Sequence, residues 1–130
     1  MLETLEMYIS TVIIMMGLDG LWLGVIIKNF NLKHLGSILA NKVTWWPVFL
    51  FYPIYAIGVV VFVLIPSLQA HSITQVLWRG ALLGLVAYSA YDLTNNATIA
   101  NWPSLVTLTD ITWGAVCTLL TSLLVYLMVK

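Results

Sequence analysis

Residues 45–68 read WWPVFLFYPIYAIGVVVFVLIPSL, a run with no charged side chain. A helix needs about 20 consecutive apolar residues to cross a bilayer, so this run predicts one crossing. Trp45 and Trp46 suit the interfacial belt, and Pro47 fits a first helical turn, where its missing N–H costs nothing. Pro53 predicts a kink and Pro66 marks the exit. The aromatic side chains between Trp45 and Tyr55 cover most of the helix circumference and are read as lipid contact and packing. The rest of the chain agrees. It is 62% hydrophobic and 8% charged, with a mean hydropathy of +1.01. A soluble domain of 130 residues could not cover that much apolar surface with five basic and five acidic side chains, so composition indicates an integral membrane protein. Zero net charge offers no basic surface to nucleic acid. The single cysteine, Cys117, forms no intrachain disulfide and reads as a small buried hydrophobe.

Three further spans are predicted around this one, at 7–27, 73–96 and 103–129, giving a single all-α domain, a four-transmembrane-helix bundle. The N-terminus is acidic and no small-residue cleavage site follows the first apolar run, so that run reads as a retained span. Between spans 1 and 2, residues 28–44 carry Lys28, Lys33, His34 and Lys42 without an acid. The positive-inside rule puts this loop in the cytoplasm and both termini outside. Gly17, Gly20 and Gly24 on span 1, and Gly80 and Gly84 on span 3, leave smooth stripes that predict close helix packing. Asn101 is read as the cap of span 4, with Pro103 in its first turn.

The main departure from apolar sequence is Tyr88-Ser-Ala-Tyr91-Asp92-Leu-Thr94-Asn95-Asn96, continuing through Trp102-Pro103 to Asp110. Asp19 also interrupts span 1, with neither flank long enough to cross alone, so it must lie inside the bilayer. A carboxylate there is costly enough to make function the default reading. Asp19, Asp92 and Asp110 all fall toward the cytoplasmic half, and a shared polar pocket follows, with Tyr88, Tyr91, Thr94 and Asn95 as neutral partners. Trp22, Trp113 and Tyr91 offer a cation–π wall. Arg79 lies some 20 Å of helix from Asp92. Three ionised carboxylates without a cation are unfavourable in a medium of low dielectric, so the pocket must take up protons, hold a cation or admit water. The alternative is that the aspartates are protonated and only hydrogen-bond neighbouring helices. No His/Cys metal spacing, phosphate loop or nucleophile–base pattern is present.

Tyr91-Asp92-Leu93-Thr94-Asn95, Ala97-Thr98, Trp102-Pro103 and Asp110-x-x-Trp113-Gly114 resemble a family of small bacterial integral membrane proteins catalogued as a domain of unknown function. Asp19-x-x-Trp22-x-Gly24 and Arg79-Gly80 fit it too, so the resemblance covers essentially the whole chain. A glycine often precedes the Trp-Pro in that family, where Asn101 stands here. The resemblance implies a four-span protein of the bacterial inner membrane, with Asp19, Asp92, Asn95 and Asp110 as its polar signature. It implies no activity and no cofactor. Three functions stay open. One is a binding or transport module for a proton, a cation or a small lipophilic ligand. Another is a membrane enzyme using aspartate acid–base chemistry on a lipid or isoprenoid. The third is a structural subunit docking to itself or to a larger complex. Membrane lipids are the expected surroundings in each case.

Overall fold

The computed structural model describes residues 2–39 and 42–130, so residues 40 and 41 of the polar loop lie outside the described residues. Every regular element among the described residues is helical. Helix α1 (Leu2–Leu21) continues into a π-helical turn, Trp22–Ile26. A short α2 (Lys28–Leu35) occupies part of the segment read as a loop. Helix α3 (Trp45–Val59) passes through a second π turn (Val60–Leu64) into α4 (Ile65–Gln69). Helices α5 (Ile73–Thr98) and α6 (Ser104–Val129) complete the chain. Among the described residues, three stretches are long and apolar enough to cross a membrane: Leu2–Ile26, Trp45–Gln69 and Ser104–Val129. Helix α5 matches α6 in length but carries Arg79 and Asp92.

Helix α1 packs against α3 and α6, and α5 packs along α6 and against the Val60–Leu64 turn. The buried residues of α1 are Met7, Thr11, Met15 and Asp19. Their four-residue spacing forms one stripe, and its last member is the carboxylate. On α6 the inward face is polar as well as apolar, since Thr107, Cys117, Thr118, Thr121 and Ser122 are all buried.

The two glycine stripes behave differently. A Cβ on Gly84 would overlap the Gly114 carbonyl oxygen, and one on Gly114 would overlap the Tyr88 ring. A Cβ on Gly80 would lie 3.0 Å from the Leu119 Cα. These glycines let α5 and α6 approach backbone to backbone, as small-residue faces do in membranes. Gly17, Gly20 and Gly24 have nothing within 4 Å of a built Cβ. The expectation of packing at these three is corrected: α1 turns the face bearing Asp19 inward, and the glycines fall on the other side.

The register break of the second apolar run comes at Val60–Leu64 and not at Pro53, through which α3 continues. Pro66 follows it and has no N–H to return to the carbonyl of Phe62, four residues earlier. Arg79 Nη1 donates to that oxygen instead (3.2 Å). The α5–α6 turn also differs from expectation. Asn101 does not cap α6 but adopts a left-handed conformation (φ 62°), which asparagine tolerates better than most residues. Pro103 occupies the N-cap. The turn is fastened by Thr107 Oγ1, which accepts from Trp102 Nε1 (3.0 Å) and bonds Asn96 Oδ1 (2.9 Å).

Candidate functional site

The four helical segments that supply the site end or begin at Ile26, Trp45, Thr98 and Ser104. From those ends Asp19 and Tyr52 lie seven residues in, and Asp92 and Asp110 six. At 1.5 Å per residue all four are about 9–11 Å deep. A fixed helical rise therefore brings one residue from each long helix to the same level. They border a single cavity of about 370 Å³, together with Trp22, Leu23, Phe51, Ala87, Tyr88, Tyr91 and Trp113. That volume falls at the small end of the range for ligand pockets, about 300–1,000 Å³. No lysine or arginine lines it.

Asp19 is buried and held from two other helices. The Tyr52 hydroxyl donates to Oδ2 (2.7 Å) and the Trp113 indole N–H to Oδ1 (2.8 Å). Cys117 Sγ stands 3.8 Å from Oδ1. Trp113 is fixed further by stacking on Trp22, with centroids 4.4 Å apart and planes within 3°. The repeated sequence pattern Asp-x-x-Trp thus meets across α1 and α6, but only half reciprocally. Trp113 reaches Asp19, whereas the buried Trp22 Nε1 has no partner among the described residues.

Asp92 is the opposite case. It is fully buried at the cavity wall, and neither carboxyl oxygen finds a hydrogen-bond donor among the described residues. Asp110 borders the same cavity from α6. Two ionised carboxylates are acceptors only, so the pair is complete only when a proton or a cationic donor stands between them. No three His, Cys, Asp or Glu side chains among the described residues converge closely enough to hold a metal ion.

Of the residues singled out in the sequence, Asp19, Trp22, Tyr88, Tyr91, Asp92, Asp110 and Trp113 share the cavity; Arg79, Thr94 and Asn95 do not line it. Arg79 spends its guanidinium on Gln75 Oε1 (3.1 Å), the Phe62 carbonyl and the Trp78 ring, toward the other end of α5. Thr94 is exposed and bonds the carbonyl oxygens of Ala90 and Tyr91 on its own helix. Asn95 sits a turn below Tyr91 on the way to the α5–α6 connection. Sequence reading missed Tyr52 and Tyr55, both assigned to packing or lipid. Tyr55 hydrogen-bonds Thr118 Oγ1 (2.9 Å) and meets the Tyr88 ring edge-on. The signal that could have found Tyr52 was its depth, since it lies as far from Trp45 as Asp19 does from Ile26.

Fold and site together define a helical integral membrane protein with an acidic, aromatic-lined cavity inside an apolar bundle. The chain belongs to the family described as "Predicted membrane protein (DUF2177)", which matches residues 4–127. No curated protein and no solved structure matches it.

Proposed function

We propose that this protein is a single-domain, four-span protein of the bacterial inner membrane that binds a small organic cation in its cavity, with a proton taking the cation's place when the site is empty. Helix α5 serves as the fourth span. It runs beside α6 for the length of both helices, and Arg79 has uncharged partners that let it reach outward. The basic segment 28–44 then lies in the cytoplasm and the termini outside, which places the cavity in the cytoplasmic leaflet.

The observation that carries the reading is Asp92, a carboxyl with no exposed surface and no donor among the described residues. A buried charge in this state is strongly unfavourable unless compensated. Asp19 differs in having a donor on each oxygen, from Tyr52 and Trp113. An ammonium group in the cavity donates to Asp110, which is only half-buried, and a turn of the Asp92 side chain onto the same group gives its carboxyl the donor it lacks, while the rings of Tyr88, Tyr91 and Trp113 supply faces for the rest of the cation. One proton exchanged for one monovalent cation keeps the charge of the site constant, and this is the arithmetic of a proton-coupled transporter.

Calorimetry of purified protein with butylammonium tests the reading. Binding should strengthen with pH, by up to tenfold per unit where one proton is displaced. Asp92→Asn and Asp110→Asn should each abolish it, while Thr94→Ala, outside the cavity, should not. Binding that ignores pH and survives both asparagine substitutions would refute it, as would no binding at any pH.

A further inference from the structure

We infer that the cavity opens sideways into the bilayer between α3 and α5, and that its ligand is a cationic amphiphile, with an ammonium head at Asp92–Asp110 and one hydrocarbon chain trailing into lipid. The inference rests on the cation site proposed above and adds the route and the ligand class.

Helix α5 packs against the Val60–Leu64 turn, but α3 itself, Trp45–Val59, packs chiefly on α1. The two helices therefore meet at the end remote from the aspartates and part at the level of the cavity. The Tyr55–Tyr88 contact, centroids 6.5 Å apart, bridges them on the inner side of the gap. Phe51 on one rim is 42% exposed and Tyr91 on the other 55% exposed, although both line the cavity. Between them Ala87 adds little bulk. Phe51 lies six residues into α3 and Tyr91 seven from the end of α5, so both rims are about 9–11 Å from the helix ends. With those ends in the headgroup layer, the opening faces hydrocarbon.

The aqueous end on the α5–α6 side is closed. Thr107 is buried beneath Asp92, bonding its backbone carbonyl (3.3 Å), and is tied to Trp102 and Asn96. The Trp102 ring then meets Tyr91 edge-on. A ligand arriving from water on that side meets this plug, whereas one dissolved in the leaflet meets only the gap between Phe51 and Tyr91. Acid at the inner end and apolar aromatic rims at the mouth match a molecule charged at one end only.

The test uses the full-length protein in lipid nanodiscs and a dodecylammonium probe carrying a mid-chain diazirine. Photolysis should label α3 around Phe51 and α5 around Tyr91, and Asp92→Asn should remove the labelling. Among alkylammonium competitors, the total aqueous concentration for half-competition should fall about fourfold per added methylene, since the chain stays in lipid while the head is bound. Labelling confined to α1, α6 or residues 28–39 would overturn the lateral opening. Equal labelling by the matching neutral alcohol would overturn the cationic head. If butylammonium competes as well as dodecylammonium, the ligand enters from water; the cation site then stands and the amphiphile does not. If no alkylammonium competes at all, both readings fall.

Discussion

Removing the Tyr52 hydroxyl tests whether Asp19 is held as the geometry implies. The O–Oδ2 distance of 2.7 Å is that of a well-formed hydroxyl hydrogen bond. Hydrogen bonds between membrane helices average about 0.6 kcal/mol and reach about 1.7. This bond is buried between a hydroxyl and a carboxyl oxygen, so Tyr52→Phe should cost about 1–2 kcal/mol, at the upper end of that scale. Tyr8→Phe supplies the internal control. The Tyr8 hydroxyl also crosses from helix to helix, to the Pro53 carbonyl, but at 3.2 Å and to a neutral acceptor. Its loss should cost about 0.5 kcal/mol on the same scale. In Asp19→Asn the amide oxygen accepts from Trp113, a donor only, and the amide NH2 turns to donate to the Tyr52 oxygen, so the bond from the Tyr52 hydroxyl to a carboxyl oxygen is lost and a bond of reversed direction replaces it. The double variant should then be less destabilised than the sum of the singles, with a coupling of about 1–2 kcal/mol. Reversible unfolding in mixed micelles of dodecyl sulfate and a mild detergent gives all the free energies. If Tyr52→Phe costs no more than Tyr8→Phe and its coupling to Asp19→Asn is zero, Asp19 does not depend on α3 and the account of the site is wrong.

Gly84→Leu should lower the melting temperature in detergent sharply, because the Gly114 backbone occupies the space of its Cβ; Gly24→Leu should be tolerated, and equal effects would undo the packing assignment. Arg79→Met should cost about 1–2 kcal/mol by leaving the Phe62 carbonyl unpaired, with ligand binding unchanged. Adding Pro66→Ala should reduce that cost by restoring an N–H to the same carbonyl, and a cost undiminished in the double variant would show that Arg79 acts elsewhere. For the orientation, a phosphatase fused after Lys130 should be active in a bacterial host and a cytoplasm-dependent fluorescent reporter dark; the reverse would move the cavity to the outer leaflet.

Length and polarity along the chain determined a great deal on their own. An apolar run with no charge in 24 positions can only be a buried or lipid-embedded helix. The constant rise of a helix converts distance from a span end into depth, and that arithmetic placed Asp19, Asp92 and Asp110 in one half of the bundle before any coordinate was known. Azimuth was another matter. In a soluble helix the polar face betrays the inward one, but in a bilayer lipid and core are both apolar, and hydropathy does not tell them apart. Gly24 and Gly84 therefore read alike in sequence, although one faces open space and the other the backbone of α6. Phe49 and Tyr52 likewise read as members of one aromatic girdle, until folding exposed the first and turned the second onto Asp19. Arg79 read as too far along its helix to neutralise the acids, and only the fold showed what it serves, a carbonyl of the neighbouring π turn. Sequence fixes how deep a residue lies; which neighbour it meets is decided by the rotation of each helix, and that depends on close packing between helices distant in the chain.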